Sequence, residues 1–329
     1  MNTAMVIEVT AAIIERDGKV LAARRTPGDP LAGLWEFPGG KLEPGESQRE
    51  CLRRELREEL AIECEIGDHI VSSPYDYRDK RIILHAYAAR IVRGEPQRID
   101  HDRLCWQVPE ALMSLDWAPA DIAIVKRYQS LWPQRRSLQY YDVNAAAYAQ
   151  ETRQFSMGPH YQRFLSYLPA DARILDLGCG SGRDSLYFSS CGYRVTAVDA
   201  SAAMVAEAAR LTGLPVSVMK AQQLCSQQAY EGVWCSASLL HCPQADLAEL
   251  FHRIAEALVP GGICFASFKS GQGERIDSKG RFFCDQTPHS LGLLLQGEGL
   301  LQSIDLWEGE SLLRGQSQRW SCMLARRRQ

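Results

Sequence analysis

The sequence lacks every cysteine pattern that indicates a disulfide framework or a zinc site. Its 11 cysteines stand singly, with no Cys-x-x-Cys pair and no zinc-finger spacing to histidine. An odd number of unpatterned cysteines is typical of reduced thiols. We therefore expect a cytoplasmic protein without disulfide bonds.

Long hydrophobic runs and a dominant charge are missing as well. No window approaches 18 consecutive apolar residues, so we expect no membrane-spanning helix. No basic segment precedes a long apolar run near the start, so we expect no signal peptide. The formal net charge of −3 gives no sign of a surface for duplex nucleic acid. The composition, 46% hydrophobic and 23% charged, is that of a soluble globular protein.

The 329 residues contain two successive patterns of secondary structure, which predict an α/β chain of two domains. In the first pattern, strand-like runs surround an acidic helix, and a second helix near residues 119–131 ends the domain. In the second, strands alternate with helices, which predicts a doubly wound, mostly parallel sheet. We place the domains at residues 1–132 and 140–329, joined by a polar, proline-containing linker at residues 133–139.

The first chemical signal is the acidic helix. Ser47 followed by Glu50 has the spacing of a capping box, which predicts that the helix begins at Gln48. Three further glutamates follow at helical spacing, Glu55, Glu58 and Glu59. Like charges at this spacing repel by roughly 0.2–0.5 kcal/mol per pair. A bound cation removes that cost, and carboxylate oxygens suit Mg²⁺ or Mn²⁺. The alternative is a solvated, salt-bridged surface helix.

The surrounding residues decide between these two interpretations. The stretch fits the pattern G-x5-E-x7-R-E-U-x-E-E-x-x-U, in which U is aliphatic. Its fixed positions hold Gly40, Glu46, Arg54, Glu55, Leu56, Glu58, Glu59 and Ile62. At ordinary residue frequencies such a match is expected at on the order of 10⁻⁸ of start positions. The surface-helix interpretation is therefore rejected.

This pattern is the Nudix box, and residues 1–132 resemble the Nudix hydrolases. These enzymes cleave a nucleoside diphosphate linked to another moiety with metal-activated water. The resemblance implies an α/β/α sandwich with a mixed sheet. It also implies that Glu55, Glu58 and Glu59 hold the Mg²⁺ or Mn²⁺, with a carbonyl of Gly40 or Gly39 as a further ligand.

The resemblance gives catalytic roles to neighbouring residues too. Arg54 would pair with and orient a glutamate, and Glu46 would stabilise either the loop or the residues that support the metal ligands. The family often has another acidic residue on a later loop, as a metal ligand or base. The spacing along the chain favours Asp100 over Asp102 for that residue, and an ordinary polar loop is the alternative. Ala61 stands where the family pattern has glycine, and alanine disfavours the left-handed conformation.

Within this family, "GLWEFPGGKLEPGES" and "APADIAIV" resemble enzymes that hydrolyse oxidised or otherwise modified nucleoside triphosphates to monophosphate and pyrophosphate. The resemblance is to the CTP pyrophosphohydrolase and 8-oxo-dGTP diphosphatase types, and it places Asp121 at the position that reads the base. A carboxylate accepts hydrogen bonds from amino groups such as cytosine N4. Asp121 therefore favours a modified pyrimidine, and an oxidised purine stays open. Phe37 and Tyr77 are candidates to flank the base, and Arg25 to contact phosphate or sugar, but each could equally be ordinary core or surface.

The second chemical signal is a glycine-rich turn after an apolar strand, in "ILDLGCGSGRDSLYF". Gly178, Gly180 and Gly182 allow tight turning and close approach of the backbone to a ligand. Asp199 ends the next strand, at the spacing of a carboxylate that binds ribose hydroxyls. The pattern indicates a nucleotide-type cofactor, either NAD or S-adenosylmethionine.

Three segments, "LDLGCGSG", "AVDASAAMV" and "LVPGGICFASF", resemble class I S-adenosylmethionine-dependent methyltransferases. The resemblance covers residues 140–329 and implies a Rossmann-like doubly wound fold with S-adenosylmethionine as cofactor. By this resemblance, Asp176, Gly178 and Gly180 would contact the methionine part and Asp199 would bind the ribose. Gly182, in the same loop, is a further candidate to bind the cofactor.

The sequence leaves the methyl acceptor open. The segment "SASLLHC" lacks the Asn/Asp-Pro-Pro-aromatic signature of DNA amino-methyltransferases. His241 in this segment is a candidate to contact the acceptor or act as a base, and Cys242 is interpreted as an inert buried thiol. Tyr140 or Tyr141 would pack over the cofactor. A later polar loop suits either an anionic acceptor or plain solvation, with the cations Lys269, Arg275 and Arg281.

These motifs together predict a bifunctional enzyme. One domain would hydrolyse a nucleoside triphosphate, and the other would methylate an unidentified acceptor. The alternative is a Nudix hydrolase regulated by a domain that binds S-adenosylmethionine without turning it over. Turnover of the cofactor, as opposed to binding alone, separates the two.

Overall fold

The computed structural model describes residues 6–77, 80–153, 155, 157–313 and 316–329. The chain divides into two compact units, Met1–Trp132 and Pro133–Gln329. Each unit contains a β-sheet and its own hydrophobic clusters, so the predicted two-domain α/β fold class is confirmed.

The first unit alternates strands with a few helices. Its elements in chain order are β1 (Val6–Arg16), β2 (Lys19–Arg25), β3 (Trp35–Glu36), α1 (Gln48–Leu60), β4 (Glu63–Asp76), β5 (Arg81–Arg93), β6 (His101–Gln107) and a 3-10 helix (Pro109–Ser114). Helix α2 (Pro119–Thr152) begins in this unit and continues past residue 132.

The sheet of the first unit is mixed. The strand order is β3-β2-β1-β5-β4, and β6 also pairs with β2. Strands β1 and β5 are parallel, whereas the other pairs are antiparallel. Leu52, Leu56 and Leu60 of α1 pack on one face of the sheet with Ala12 and Ile14. The first part of α2 packs on the opposite face, because alternate residues of β1 point to opposite sides.

Helix α1 begins at Gln48, as predicted, because its capping box forms. The Ser47 hydroxyl accepts from the Glu50 N–H at 3.3 Å, and the Glu50 carboxylate accepts from the Ser47 N–H at 2.9 Å. The helix ends at Leu60, and Ala61 takes the left-handed conformation with φ 55°. Alanine therefore occupies the geometry that glycine adopts more readily, at a cost of roughly 1–2 kcal/mol.

Helix α2 differs from the expectation. We predicted a helix ending near residue 131 and a polar linker at 133–139, but residues 119–152 form one helix with Pro133 inside it. Proline removes one backbone donor, whereas the arginines, leucine and alanines that follow have good helix propensity. The Ser137 hydroxyl also donates to the Pro133 carbonyl at 3.2 Å. A single proline therefore does not end this helix.

The second unit repeats strand–helix units. Its elements are α3 (Gly158–Leu165), β7 (Arg173–Leu177), α4 (Arg183–Ser190), β8 (Arg194–Asp199), α5 (Ala202–Thr212), β9 (Val216–Val218), β10 (Tyr230–Ser236), α6 (Gln244–Ala257), β11 (Leu258–Lys269), β12 (Gly273–Ile276), β13 (Phe282–Asp285), α7 (Pro288–Glu298), β14 (Leu301–Leu313) and β15 (Gln316–Arg327). Two short 3-10 helices lie at Ala221–Gln223 and Leu239–His241.

The large sheet of this unit is doubly wound, as predicted. Its strand order is β14-β15-β11-β10-β7-β8-β9. Strands β11 to β9 in this order are parallel, whereas β15 is antiparallel to both β11 and β14. Residues of α6 and α7 cover one face, and those of α3 and α4 cover the other around Trp234 and Phe265.

This topology positions the second site. The carboxyl ends of parallel strands meet at one edge of a sheet, where α/β proteins bind their ligands. The edge gathers the glycine-rich turn after Leu177, Asp199 at the end of β8, the segment after Ser236 and Lys269 at the end of β11.

None of the helices in the described residues has the length and apolar character needed to cross a membrane.

Candidate active sites

The acidic helix α1 is organised by one guanidinium. Arg54 Nε donates to Glu46 Oε1 at 3.0 Å, and Arg54 Nη1 donates to Glu55 Oε1 at 2.9 Å and Glu58 Oε2 at 3.1 Å. These contacts raise the pKa of Arg54 above its ordinary value, chiefly through the bond to Glu46. The structure therefore brings together four of the residues named from the sequence.

The turn before α1 approaches the helix so closely that only glycine fits. A Cβ on Gly40 would overlap the Glu55 carboxylate, and a Cβ on Gly39, with φ 146°, would overlap the Thr10 carbonyl. The Gly39 N–H donates to Glu59 Oε2 at 3.1 Å. The two glycines thus set the turn directly against Glu55 and Glu59.

The two glycine carbonyls differ in what they contact. The Gly40 carbonyl accepts from the Thr10 N–H at 2.8 Å and from the Thr10 hydroxyl at 3.3 Å. No residue in the described part of the chain donates a hydrogen bond to the Gly39 carbonyl. Of the two carbonyls considered as metal ligands, the geometry therefore favours Gly39 over Gly40.

The innermost glutamate, Glu59, lies in a crowded electrostatic environment. Burial raises the pKa of its carboxyl to about 8, and the negative charges of Glu36 and Glu55 add to the rise, whereas His101 opposes it. A buried carboxyl beside other negative charges binds its proton more tightly than an exposed one. Within the residues that the structure describes, no three His, Cys, Asp or Glu side chains are already arranged around one metal position. The available donors are nevertheless all hard oxygens, which fit Mg²⁺ or Mn²⁺.

The later loop differs from the prediction. Asp100 is exposed in a bend, and Asp102 forms a two-pronged ion pair with Arg24, at 2.8 and 2.9 Å. The inward residue is His101, which is 6% exposed and whose Nε2 lies 3.1 Å from Glu36 Oε1. The choice of Asp100 as a metal ligand is therefore not favoured, because its side chain faces solvent.

Glu36 is the residue of this site that the sequence analysis missed. It accepts from Arg25 on one side and approaches His101 on the other. Burial lowers the pKa of His101, but the bond to Glu36 and the charge of Glu59 outweigh it, so that the net shift is upward. The available signal was the acidic residue directly before "FPGG".

Asp121, the residue predicted to read the base, is buried beside Phe37. Asp121 is 5% exposed, and its Oδ1 accepts from the Phe37 N–H at 3.0 Å. Burial raises the pKa of Asp121 to about 8, with a contribution from Glu36. Tyr77 is close enough for the Asp121 charge to raise its pKa, after the larger effect of burial.

Two other pocket candidates have structural partners instead. Phe37 is buried in the core, with its ring centroid 4.6 Å from that of Trp117. Arg25 donates to both oxygens of Asp29 at 2.8 Å and also contacts Glu36. Since its charge is met by two carboxylates, Arg25 is not available as a simple phosphate contact.

In the second unit, Asp199 holds the glycine-rich turn in place. Asp199 Oδ2 accepts from the Gly180 N–H and Oδ1 accepts from the Ser201 N–H, both at 2.9 Å. Burial raises the pKa of its carboxyl. Gly178 has φ 82°, and a Cβ there would overlap the Cβ of Ser238. Gly182, also left-handed, lets α4 pack against α5.

Asp176 lies deeper than expected. It is 1% exposed and accepts from the Ser185 hydroxyl at 2.5 Å. Burial raises its pKa to about 8, and the charge of Asp184 adds to the rise. Asp176 therefore supports α4 beneath the turn, so the structure does not favour a direct cofactor contact.

The cations that the sequence offered for an anionic methyl acceptor already have partners in the second unit. Arg275 is paired with Asp285, at 2.5 Å, and Arg281 with Asp277, at 2.7 Å. Burial lowers the pKa of Lys269 to about 8, and its ammonium donates to Gln318 Oε1 at 2.7 Å. These contacts weaken the case for an anionic acceptor.

The thiol and imidazole of the "SASLLHC" segment are distinct in character. Burial raises the pKa of the Cys242 thiol to about 12, which agrees with its interpretation as an inert core residue. Burial lowers the pKa of His241 to about 4. His241 Nδ1 lies 2.6 Å from the Phe282 carbonyl, and Nε2 lies 2.8 Å from the Tyr141 hydroxyl.

The first unit thus sets an acidic helix against a glycine turn, and the second has a glycine-rich turn at the carboxyl edge of a parallel sheet. Residues 6–128 match the NUDIX domain family, and residues 174–262 match a methyltransferase domain family. The chain belongs to the Nudix family, and it carries a methyltransferase domain after the Nudix domain. Both resemblances found in the sequence are confirmed.

Three relatives illustrate the match. The chain is 47% identical to the CTP pyrophosphohydrolase of Escherichia coli (strain K12), over 38% of this chain and 93% of the relative. It is 40% identical to the putative 8-oxo-dGTP diphosphatase 2 of Mycobacterium tuberculosis (strain ATCC 25618 / H37Rv), over 34% and 81%. It is 31% identical to the malonyl-[acyl-carrier protein] O-methyltransferase of Enterobacter lignolyticus (strain SCF1), over 47% and 66%.

Proposed function

We propose that the chain is bifunctional. Residues 1–132 hydrolyse modified or oxidised nucleoside triphosphates to monophosphate and pyrophosphate with Mg²⁺ or Mn²⁺, and residues 140–329 transfer a methyl group from S-adenosylmethionine. The observation that carries the hydrolase proposal is the set of glutamates that Arg54 and the Gly39–Gly40 turn hold together. The names of the N-terminal relatives, a CTP pyrophosphohydrolase and a putative 8-oxo-dGTP diphosphatase, support the substrate class.

The metal would be held by Glu55, Glu58, Glu59 and the Gly39 carbonyl. When bound, a divalent cation neutralises the phosphates and lowers the pKa of coordinated water. Arg54 fixes the spacing of Glu55 and Glu58, so that these carboxylates enter the reaction already oriented. The raised pKa of Glu59 supports this assignment, because a cation at its carboxylate relieves the crowding of negative charge.

Asp121 would select the base. With a pKa of about 8, its carboxyl is mostly protonated at pH 7 and offers both a donor and an acceptor. That pair complements the N3 acceptor and N4 amino donor of cytosine, which supports a modified pyrimidine. An oxidised purine that presents one donor beside one acceptor would satisfy the same carboxyl.

The test uses the purified full chain with Mg²⁺ and a panel of ordinary, oxidised and methylated nucleoside triphosphates, with products measured by mass spectrometry. We expect monophosphate and pyrophosphate from a few modified bases. Glu58→Gln and Glu59→Gln should each lower turnover by at least about 100-fold, whereas Glu65→Gln, on the exposed surface of β4, should not. Turnover near that of the unaltered chain in the folded Glu58 and Glu59 variants would reject the metal assignment.

The methyltransferase proposal depends on the glycine turn and the polar edge beside it. Asp199 fixes the turn through Gly180, and the Ser238 hydroxyl is a buried polar atom without a partner among the described residues. An unpaired buried hydroxyl beside a glycine cradle fits a polar ligand such as the cofactor. Calorimetry with S-adenosylmethionine measures binding, and formation of S-adenosylhomocysteine measures turnover. Binding without turnover on any acceptor would favour the regulatory alternative.

A further inference from the structure

Tyr141 and His241 form a hydrogen-bonded pair at the acceptor edge of the second unit. The Tyr141 hydroxyl lies 2.8 Å from His241 Nε2, and the rings meet edge to face with centroids 5.2 Å apart. His241 follows strand β10, whereas Tyr141 lies on α2, so the pair joins two distant parts of the chain. From the sequence, Tyr140 or Tyr141 is expected only to pack over the cofactor.

The neighbouring carbonyl fixes the tautomer of this pair. A carbonyl oxygen only accepts hydrogen bonds, so His241 Nδ1, at 2.6 Å from the Phe282 carbonyl, must carry the proton. In the neutral ring Nε2 is then an acceptor. The Tyr141 hydroxyl therefore donates to Nε2, and its oxygen in turn accepts from Arg281 Nη1 at 3.5 Å.

The pair adjoins the glycine turn. Asp142, the residue after Tyr141, accepts from the Ser201 hydroxyl at 2.6 Å, and the Ser201 N–H bonds to Asp199. On the other side, Ser238 lies three residues before His241, and its buried hydroxyl has no partner among the described residues. The pair is thus connected to the cofactor edge from both of its elements.

A residue with a strained backbone conformation directly precedes Ser238. Ala237 adopts φ 53°, a conformation that side chains disfavour, and its N–H donates to the Ser267 hydroxyl at 2.9 Å. Such strain costs of order 1–3 kcal/mol and concentrates at functional sites. Here the turn presses Ser238 against Gly178 of the cofactor turn.

The charged and titratable groups around the pair are few. Arg281 Nη1 lies 3.5 Å from the Tyr141 oxygen, and Asp277 compensates its charge through two hydrogen bonds. The ring of Tyr148 meets that of Tyr141 with centroids 5.0 Å apart. Arg281 and Asp277 therefore form a compensated ion pair beside the Tyr141 oxygen.

We propose that Tyr141 and His241 are a proton relay for methylation of an acceptor that carries an N–H or O–H group. The inference rests on the proposed methyl transfer. The acceptor atom bonds to the methyl carbon while the carbon–sulfur bond breaks and its electron pair stays on sulfur. The acceptor proton passes to the Tyr141 oxygen, and the Tyr141 proton passes to His241 Nε2. The resulting imidazolium keeps its Nδ1–H bond to Phe282, and later loses its extra proton to water.

The relay distinguishes classes of acceptor. An amide-like nitrogen or a hydroxyl must lose a proton to become a stable methylated product, so a base assists its reaction. A carboxylate or a thiolate already has the electron pair and loses no proton. The geometry therefore points to a neutral N–H or O–H acceptor, in agreement with the internally paired Arg275 and Arg281.

The first measurement needs no acceptor. Nitrogen-15 NMR of histidine-labelled full chain, saturated with S-adenosylhomocysteine at pH 7, should show His241 with a protonated Nδ1 and an unprotonated Nε2. Tyr141→Phe should shift the Nε2 resonance, whereas Tyr167→Phe, an exposed tyrosine of the same unit, should not. A protonated Nε2 would overturn the relay. Failure to bind S-adenosylhomocysteine would reject the proposed function instead.

The second measurement uses a panel of small aromatic probes that carry phenol, ring N–H, thiol or carboxylate groups. We expect methyl transfer to phenol or N–H probes, lowered about 100-fold in kcat by Tyr141→Phe and His241→Gln. KM and the affinity for S-adenosylhomocysteine should change less than threefold, and His252→Gln, on the surface of α6, should behave as the unaltered chain.

The pH profile separates a relay from a structural role. With the relay intact, the rate on a phenol should be nearly flat between pH 6 and 9. In the variants it should rise about tenfold per pH unit, because only the ionised phenol then reacts. Parallel profiles in variant and unaltered chain would overturn the relay. Product from thiol or carboxylate probes alone would also overturn it. So would the absence of product from every probe when S-adenosylmethionine is supplied to a chain that binds S-adenosylhomocysteine.

Discussion

Replacing Asp121 by asparagine should remove a loss of stability that the first unit undergoes as pH rises. The carboxyl is 5% exposed, and burial raises its pKa from 3.8 to about 8. Between these pH values the folded chain binds more protons than the unfolded chain, so stability falls as pH rises through this window. Asparagine keeps the acceptor for the Phe37 N–H, 3.0 Å away, but does not ionise.

The magnitude follows from the difference in proton affinity. Each tenfold change in affinity corresponds to about 1.4 kcal/mol. The ionisation penalty is therefore about 1.5 kcal/mol at pH 5 and on the order of 5 kcal/mol at pH 8. The advantage of Asp121→Asn over the unaltered chain should grow by about 3–4 kcal/mol between these two pH values.

The assay is urea unfolding of the full chain at pH 5, 6, 7 and 8, followed by tryptophan fluorescence. Four of the seven tryptophans lie in the first unit, and one of them, Trp117, packs on Phe37, so the emission includes a signal from the region that holds Asp121. Asp116→Asn, at an exposed position in the same segment, is the matched control and should show no such trend. A stability difference between Asp121→Asn and the unaltered chain that stays constant with pH would refute the reasoning.

Three further substitutions test the glycine turns and the helix end. Ala61→Gly should raise the free energy of unfolding by about 0.5–1 kcal/mol, because glycine relieves the left-handed strain but has a more flexible unfolded state. Ala147→Gly within α2 should lower the free energy of unfolding by about 1 kcal/mol. A change in the same direction for both substitutions would contradict this account. Gly40→Ala should weaken Mn²⁺ binding, measured by electron paramagnetic resonance, at least tenfold, because its Cβ overlaps the Glu55 carboxylate. Gly67→Ala, where a Cβ makes ordinary contacts, is its control, and equal affinities in the two variants would refute the turn's role. Gly178→Ala should weaken S-adenosylhomocysteine binding at least tenfold in calorimetry, since it combines φ 82° with overlap of Ser238. Gly297→Ala, on open surface, should leave that affinity unchanged, and an unchanged affinity in Gly178→Ala would argue against the cofactor turn.

The local parts of the structure were predictable from the sequence. Helix α1 begins at Gln48 because Ser47 and Glu50 form the capping box within four residues of each other. The same short range explains why Arg54 meets Glu55 and Glu58. The end of α2 was not predictable from Pro133 alone, because packing and the helix formers on both sides outweigh one missing donor.

The Glu36–His101 contact was not predictable from local sequence, because sheet pairing creates it. Glu36 lies on β3 and His101 on β6, and both strands pair with β2, opposite Ala23 and Arg25. The two residues are 65 positions apart in the chain. No local spacing rule links them, so the sequence indicated an acidic loop but not which side chain turns inward.

Charge compensation is the other property that a sequence does not display. The arginines of the β12–β13 hairpin looked suited to an anionic acceptor, yet Asp285 and Asp277 already pair with them. Arg25 shows the same effect in the first unit, where Asp29 and Glu36 share its charge. Once these cations are compensated internally, Coulomb attraction contributes little to acceptor binding, and proton transfer becomes the basis for selecting it. The pair formed by Tyr141 and His241 provides that basis, which is why a neutral acceptor follows from the same observations that remove the anionic one.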